Sequence, residues 1–191
     1  MRTFAVCIAT LATVCLAAHA HAAEFNKAFT VTGRATVHVN TNDGSVRVRT
    51  SDSNQVEFRV EYKGLTLDKN LHIESRQDGD SVQITARVNG HWGFSWGGNH
   101  RGLKIEVHMP KEGDLQVDTG DGSVTTQTIN GRLKIHTGDG SVRAEQVAGD
   151  VDIDTGDGSI TVNGAKGDIR LRTGIRRSPH VVSVVSLRLA I

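Results

Sequence analysis

Thr119-Gly120-Asp121-Gly122-Ser123-Val124 returns as Thr137-Gly138-Asp139-Gly140-Ser141-Val142 and again as Thr155-Gly156-Asp157-Gly158-Ser159-Ile160, each copy beginning 18 residues after the last. Thr173-Gly174 falls on the same beat before the phrase breaks off. A strict period of this size marks a repeat architecture, in which one supersecondary unit buries its apolar face only against its neighbours. Counted from each Thr, position 5 holds Val124, Val142 and Ile160. Position 10 holds Ile129, Val147 and Ala165, position 14 Leu133, Val151 and Ile169, and position 16 Ile135, Ile153 and Leu171. Between the last two sets lie Lys134, Asp152 and Arg170, so the alternation has the period of two of a strand with one buried face. Position 12 is always glycine, at Gly131, Gly149 and Gly167.

Each unit therefore reads as strand, Gly corner, strand, Gly-Asp-Gly corner. The corner glycines are expected to supply positive φ, with the intervening Asp bonding its own backbone. A helix is excluded, because each glycine would cost about 1 kcal/mol relative to alanine. In-register units of this kind stack as coils of an all-β β-solenoid, a single-stranded β-helix-like stack with 18-residue coils, two main faces and a handedness that the sequence leaves open. One coil cannot stand alone, since about five apolar side chains at roughly 1.5–3 kcal/mol each oppose a backbone cost of about 1 kcal/mol or more per residue.

Upstream, Val37, Val39, Val46, Val48, Val56, Phe58 and Val60 alternate in the same way. Thr41-Asn42-Asp43-Gly44-Ser45-Val46 repeats the phrase with Asn for the first Gly, and Asn is expected to keep the corner because it tolerates the left-handed conformation. The solenoid thus begins within residues 29–62, well upstream of its regular part. Residues 63–112 read as an excursion rich in β-hairpins, with strand-like runs at 71–75, 81–88 and 103–109, closed by Pro110. The organisation expected is a leader at 1–22, one domain at 23–174 with irregular coils to 112 and regular repeats from 113, and an atypical tail at 175–191. In that tail Ile175-Arg176-Arg177-Ser178-Pro179 replaces the corner and Val181-Val182-Ser183-Val184-Val185 carries no charge, so either a disordered end or a loosely placed cap strand is expected.

Residues 1–22 carry Arg2, an apolar run from Phe4 to Ala18 and the exits Ala18-His19-Ala20 and Ala20-His21-Ala22, the pattern of a secretory signal peptide cleaved after Ala22. Export places the mature chain in the periplasm, at the cell surface or outside the cell. Both cysteines, Cys7 and Cys15, leave with the leader, so packing and strand pairing must hold the fold without a disulfide. Without Arg2 the chain has 21 Lys+Arg against 21 Asp+Glu, a balance that excludes a nucleic-acid binder with a basic stripe.

The Thr-Gly-Asp-Gly-Ser-Val copies, the Asn42-Asp43-Gly44-Ser45-Val46 variant and the strand 103–109 followed by Pro110 resemble the bacterial putative adhesin family of exported β-helical domains, over residues 29–174. That resemblance implies a β-helical fold and export, in a family that is itself functionally uncharacterised; the expected role is a binding or interaction module at the surface or in the periplasm, with a glycan or an envelope protein as partner. The tail after Gly174 departs from the family's pattern.

The segment His91-Trp92-Gly93-Phe94-Ser95-Trp96-Gly97-Gly98-Asn99-His100-Arg101 contains both tryptophans. Trp92, Phe94, Trp96, Asn99, His100 and Arg101 are the candidate ligand-binding residues, because aromatic faces among Gly, Asn and Arg can stack on sugars or on a protein. The plainer alternative is a loop folded over the open end of the coils. His91 and His100 lack a third metal ligand at a recognisable spacing. Asp121, Asp139 and Asp157 form the expected column of carboxylates, a weak candidate for calcium, since at roughly 5 Å in water they repel by only about 1 kcal/mol. No cofactor or catalytic constellation is read: Gly93-Phe94-Ser95-Trp96-Gly97 has the Gly-x-Ser-x-Gly spacing but not the strand-to-helix elbow its chemistry needs, and no His-Glu-x-x-His occurs. Two competing classes remain, an envelope-signalling accessory protein and a carbohydrate-active β-helix enzyme of lyase or hydrolase type. The latter would use the outward rows Lys134, Asp152, Arg170 and His136, Asp154, Arg172.

Overall fold

A computed structural model describes residues 23–89, 102–174 and 182–187 of the chain, the last six as backbone. The expected leader and parts of the tail lie outside the described residues. In chain order the strands are β1 (Ala23–Thr30), β2 (Ala35–Thr41), β3 (Ser45–Ser51), β4 (Gln55–Lys63), β5 (Leu71–Asp78), β6 (Ser81–Val88), β7 (Gly102–Pro110), β8 (Gly113–Thr119), β9 (Val124–Thr126), β10 (Leu133–Thr137), β11 (Val142–Ala148), β12 (Val151–Thr155), β13 (Ile160–Lys166), β14 (Ile169–Thr173) and β15 (Val182–Leu187). They form an eight-stranded sheet, β1-β4-β7-β3-β9-β11-β13-β15, and a seven-stranded sheet, β14-β12-β10-β8-β2-β6-β5. The protein is all-β, with two sheets built mainly of parallel pairs.

From β8 to β14 the chain crosses from one sheet to the other at each corner, and each strand pairs with its counterpart one repeat away. Leu115, Leu133, Val151 and Ile169 lie side by side on the smaller sheet, as do Val124, Val142 and Ile160 on the larger. The apolar positions read from the repeat are the core: Val124, Ile129, Leu133, Ile135, Val142, Val147, Val151, Ile153 and Ile160 are all buried. Ile169 and Leu171 are only half-buried, because they lie on the last strand of their sheet.

Stacking order differs from chain order. β6 pairs with β2 and β7 with β3, both in parallel, so the segment read as an excursion adds a coil on the far side of β2 and β3. Antiparallel strands then close that end: β4 on β7, β1 on β4 and β5 on β6. At the opposite end β15 pairs in parallel with β13, its register shifting at Val162 and again at Asn163.

Gly-Asp-Gly corners owe their glycines to close approach rather than to positive φ. Of these corner glycines only Gly44 has a left-handed φ, +95°, and Asn42 does not use that conformation. Instead, a Cβ at Gly122 would lie 1.7 Å from the Gly44 carbonyl oxygen, one at Gly140 2.0 Å from that of Gly122, and one at Gly158 1.9 Å from that of Gly140. Coils roughly 4.8 Å apart press backbone onto backbone there, leaving no room for a methyl group. The second corner repeats the device, with a Cβ at Gly131 meeting Gly113 O at 2.0 Å and one at Gly149 meeting Gly131 O at 2.3 Å.

In the second and third copies the repeated Thr completes the corner, while the buried Thr119 hydroxyl of the first has no partner. Thr155 Oγ1 accepts from Gly158 N at 3.1 Å within its own coil and donates to Gly140 O of the preceding coil at 3.0 Å. Thr137 does the same between Gly140 N and Gly122 O, at 3.2 Å each. A buried hydroxyl is thereby satisfied on both sides, as burial requires. Asn42 serves differently: its side chain donates to Val88 O at 2.8 Å and accepts from Val88 N at 2.9 Å, pairing like a backbone peptide with the coil beyond.

Two variants test this account by urea denaturation. Gly140→Ala should cost about 3 kcal/mol, since the opposing carbonyl cannot step aside. Gly79→Ala, at a hairpin φ of +57° with nothing within 4 Å, should cost only about 1 kcal/mol. Equal losses would remove close approach as the reason for the corner glycines. Thr126, fully buried where the neighbouring coil has Val48, leaves its hydroxyl without a partner. Thr126→Val should therefore raise stability by about 1 kcal/mol.

Candidate functional site

The outer face of the larger sheet gathers its charges around one carboxylate. Glu106 sits at the middle of β7, on the outward side, yet is only 8% exposed. Strand register explains this: β7 lies between β4 and β3, so Arg59 and Arg47 flank Glu106 in one row while Arg49 and His108 share the next. Their long aliphatic stems cover the carboxylate while the charged heads stay near water. Arg49 Nε lies 2.6 Å from Glu106 Oε1, His108 Nε2 3.6 Å from the same oxygen and Lys104 Nζ 4.0 Å from Oε2. A carboxylate with both oxygens held by cations is a poor nucleophile or general base, and its role here is to hold a basic cluster together. Farther out on the same face Arg59 hydrogen-bonds Glu24, which lowers the Glu24 pKa and raises that of Arg59.

A second clasp closes the glycine corner of the smaller sheet. Asp114 Oδ1 accepts from Arg34 Nη2 at 3.0 Å and from Arg132 N at 2.9 Å, and Arg34 Nη2 also reaches Asn130 O at 2.9 Å. Partial burial works to raise the Asp114 carboxyl, but the Arg132 amide and the Arg34 guanidinium outweigh it and hold the pKa below the usual aspartate value.

The outward rows expected on the smaller sheet are in register. Lys134, Asp152 and Arg170 stand side by side, as do His136, Asp154 and Arg172. One close contact joins the rows: Arg172 Nη1 lies 3.6 Å from Asp152 Oδ1, an atom that is itself buried and without a hydrogen-bond partner. Asp121, Asp139 and Asp157 are exposed in the corner column. The amides of Asp139 and Asp157, rather than their carboxylates, tie the coils, donating to Gly120 O and Gly138 O at 3.3 and 3.1 Å. Among the described residues no group of three or more His, Cys, Asp or Glu is placed to hold a metal.

Trp92, Phe94, Trp96, Asn99, His100 and Arg101 lie outside the described residues, but the strands on either side of them fix where the segment starts and returns. Ala86 pairs with Thr41 and Lys104 with Ser45. The neighbouring coil has Asn42, Asp43 and Gly44 between those two positions, and the aromatic segment lies in the sequence between Ala86 and Lys104. Sequence reading missed the Glu106 cluster, since only the parallel pairing of β7 with β3 brings Arg47 and Arg49 to it.

A family model described as Toastrack DUF4097 matches residues 34–174. No curated protein matches the chain. Among solved structures, a putative cell adhesion protein from Clostridium sporogenes shares 9% identity, covers 80% of this chain and 96% of its own, and has a TM-score of 0.56. A putative adhesin from Parabacteroides merdae shares 16% identity over 76% of this chain and 58% of its own, with a TM-score of 0.44. At such identities the likeness concerns the fold.

Glu106→Ala should destabilise the protein by about 2 kcal/mol at low ionic strength, because Arg49, Lys104 and His108 then face one another without a counter-charge. The loss should shrink markedly in 1 M salt, where the screening length falls to about 3 Å. Denaturation at both salt concentrations checks this, and a loss that ignores salt would mean that packing by the Glu106 stem dominates.

Proposed function

We propose that this chain, which belongs to the Toastrack DUF4097 family, is an exported, non-enzymatic binding module whose rigid β-solenoid presents the aromatic segment 91–101 to a glycan or an envelope protein. The single observation that supports this reading most is where the segment falls in the chain. The described Gly-Asp-Gly corners are closed by stacked backbone, whereas the sequence between β6 and β7 carries Trp92, Phe94, Trp96, Asn99, His100 and Arg101. Binding residues concentrate on loops held by a rigid scaffold, and rings such as these supply large contact area at low entropic cost.

The scaffold unit in this reading is a coil of 18 residues, supported by the pairing of Leu115, Leu133, Val151 and Ile169 across four successive strands. Residues 1–22 act as the export leader, placing the module in the periplasm or at the cell surface. Likeness to a putative cell adhesion protein supports a binding role without naming a ligand.

The test is capture of glycans on an array, and of envelope proteins from extracts, by the mature chain and by the double variant Trp92→Ala, Trp96→Ala. Loss of capture by at least tenfold with an unchanged melting curve is expected. Unfolding of the variant without a specific loss of capture would make the segment a plug over the coils. Release of cleaved sugar that vanishes in Asp152→Asn would replace the binding reading by a carbohydrate-active enzyme.

A further inference from the structure

We propose that the edge strand β14 is a docking site for an extended acidic segment of another polypeptide, which adds to the seven-stranded sheet as one further parallel strand. β14 terminates that sheet, pairing with β12 on one side and with no described strand on the other. Its inward residues Ile169 and Leu171 are half-buried, whereas Leu133, Ile135, Val151 and Ile153, at the same positions in earlier coils, are fully buried. One more strand would complete the burial and pair the free peptide groups of the edge, which is how β-augmentation gains affinity.

Charge on the outer face identifies the occupant. The two rows read Lys134, Asp152, Arg170 and His136, Asp154, Arg172, so each arginine has an acidic neighbour on its β12 side. On the open side both arginines lack one. A strand carrying carboxylates at the two matching positions continues both rows, while one carrying lysines sets like charges directly opposite. A second copy centred on Leu171 would itself place Arg170 against Arg172 of the other chain.

The opposite end of the stack is built against such addition. There the edge strand β5 carries Ser75 and Gln77 at inward positions, the Gln77 amide being bonded to Thr30 O at 2.7 Å and Gly79 O at 2.8 Å. Edge strand β1 carries Lys27, whose Nζ lies 5.9 Å from the Phe29 ring centre. Polar and charged groups near an edge deter pairing. β14 has Ile169, Leu171 and Thr173 on its inward side instead, so the two ends differ in kind.

The pattern required is already present in β12, where Val151-Asp152-Ile153-Asp154-Thr155 lies in register against β14. A fluorescent peptide with the sequence of residues 151–159 is therefore the probe, beside a twin with lysine at both strand aspartates, each titrated into the mature chain by anisotropy. Saturable binding of the acidic peptide, at least tenfold tighter than its twin and weakened by salt, is expected. The double variant Arg170→Glu, Arg172→Glu should reverse the preference at some cost in stability, since it sets glutamates beside Asp152 and Asp154; Arg170→Gln, Arg172→Gln, which makes no like-charge pair, should bind both peptides equally. Binding of neither peptide or equal binding of both by the unaltered chain, or an unreversed preference in the glutamate variant, would overturn the proposal. So would a concentration-dependent dimer in sedimentation that the acidic peptide cannot dissociate, since a second copy would then be the occupant.

Discussion

Backbone pressed on backbone at the corners is the constraint from which the rest of this structure follows. A coil can lie one strand spacing from the next only where the corner has no side chain, and the columns Gly44, Gly122, Gly140, Gly158 and Gly113, Gly131, Gly149, Gly167 provide that at both turns. Once corners are in contact, the strands between them are forced into register, because a one-residue slip would turn every core residue outward. The Thr hydroxyls at 137 and 155 lock the same spacing, each bridging an amide of its own coil and a carbonyl of the one before.

Register in turn places residues that are far apart in sequence. Ile105 meets Val46 and Val46 meets Val124, so three segments of the chain form one continuous apolar row. The same pairing brings Glu106 between Arg47 and Arg59 on the outer side. Core and charged face are two sides of one set of strands, and neither could shift without the other.

Differences between the two ends come from how each sheet stops. Antiparallel strands and polar inward residues finish one end, and the strands β14 and β15, each parallel to its neighbour in a different sheet, finish the other. Surfaces that are free of stacking constraints carry the variable chemistry: the charged faces and the edges. The repeats build a scaffold, and recognition is left to the places where repetition breaks.

The sequence alone determined the all-β repeat class, the two-faced unit and nearly the whole core of the regular part, because a period of 18 with fixed apolar positions permits little else. It named the outward rows from Lys134 and His136 for the same reason, since alternation within a strand is local information. What only the tertiary structure decided was stacking order: residues 81–110 could not be recognised as a coil on the far side of β2 and β3, because non-local pairing leaves no period in the chain. It also decided why the corner residues are what they are. Gly120, Gly122 and Gly140 were legible as corner residues, but their cause is a carbonyl of a neighbouring coil rather than their own φ. Asn42 likewise holds its corner by pairing with the Val88 peptide. The aromatic segment could be named from composition, yet that the strands before and after it place Ala86 against Thr41 and Lys104 against Ser45 follows only from the stacking of the coils.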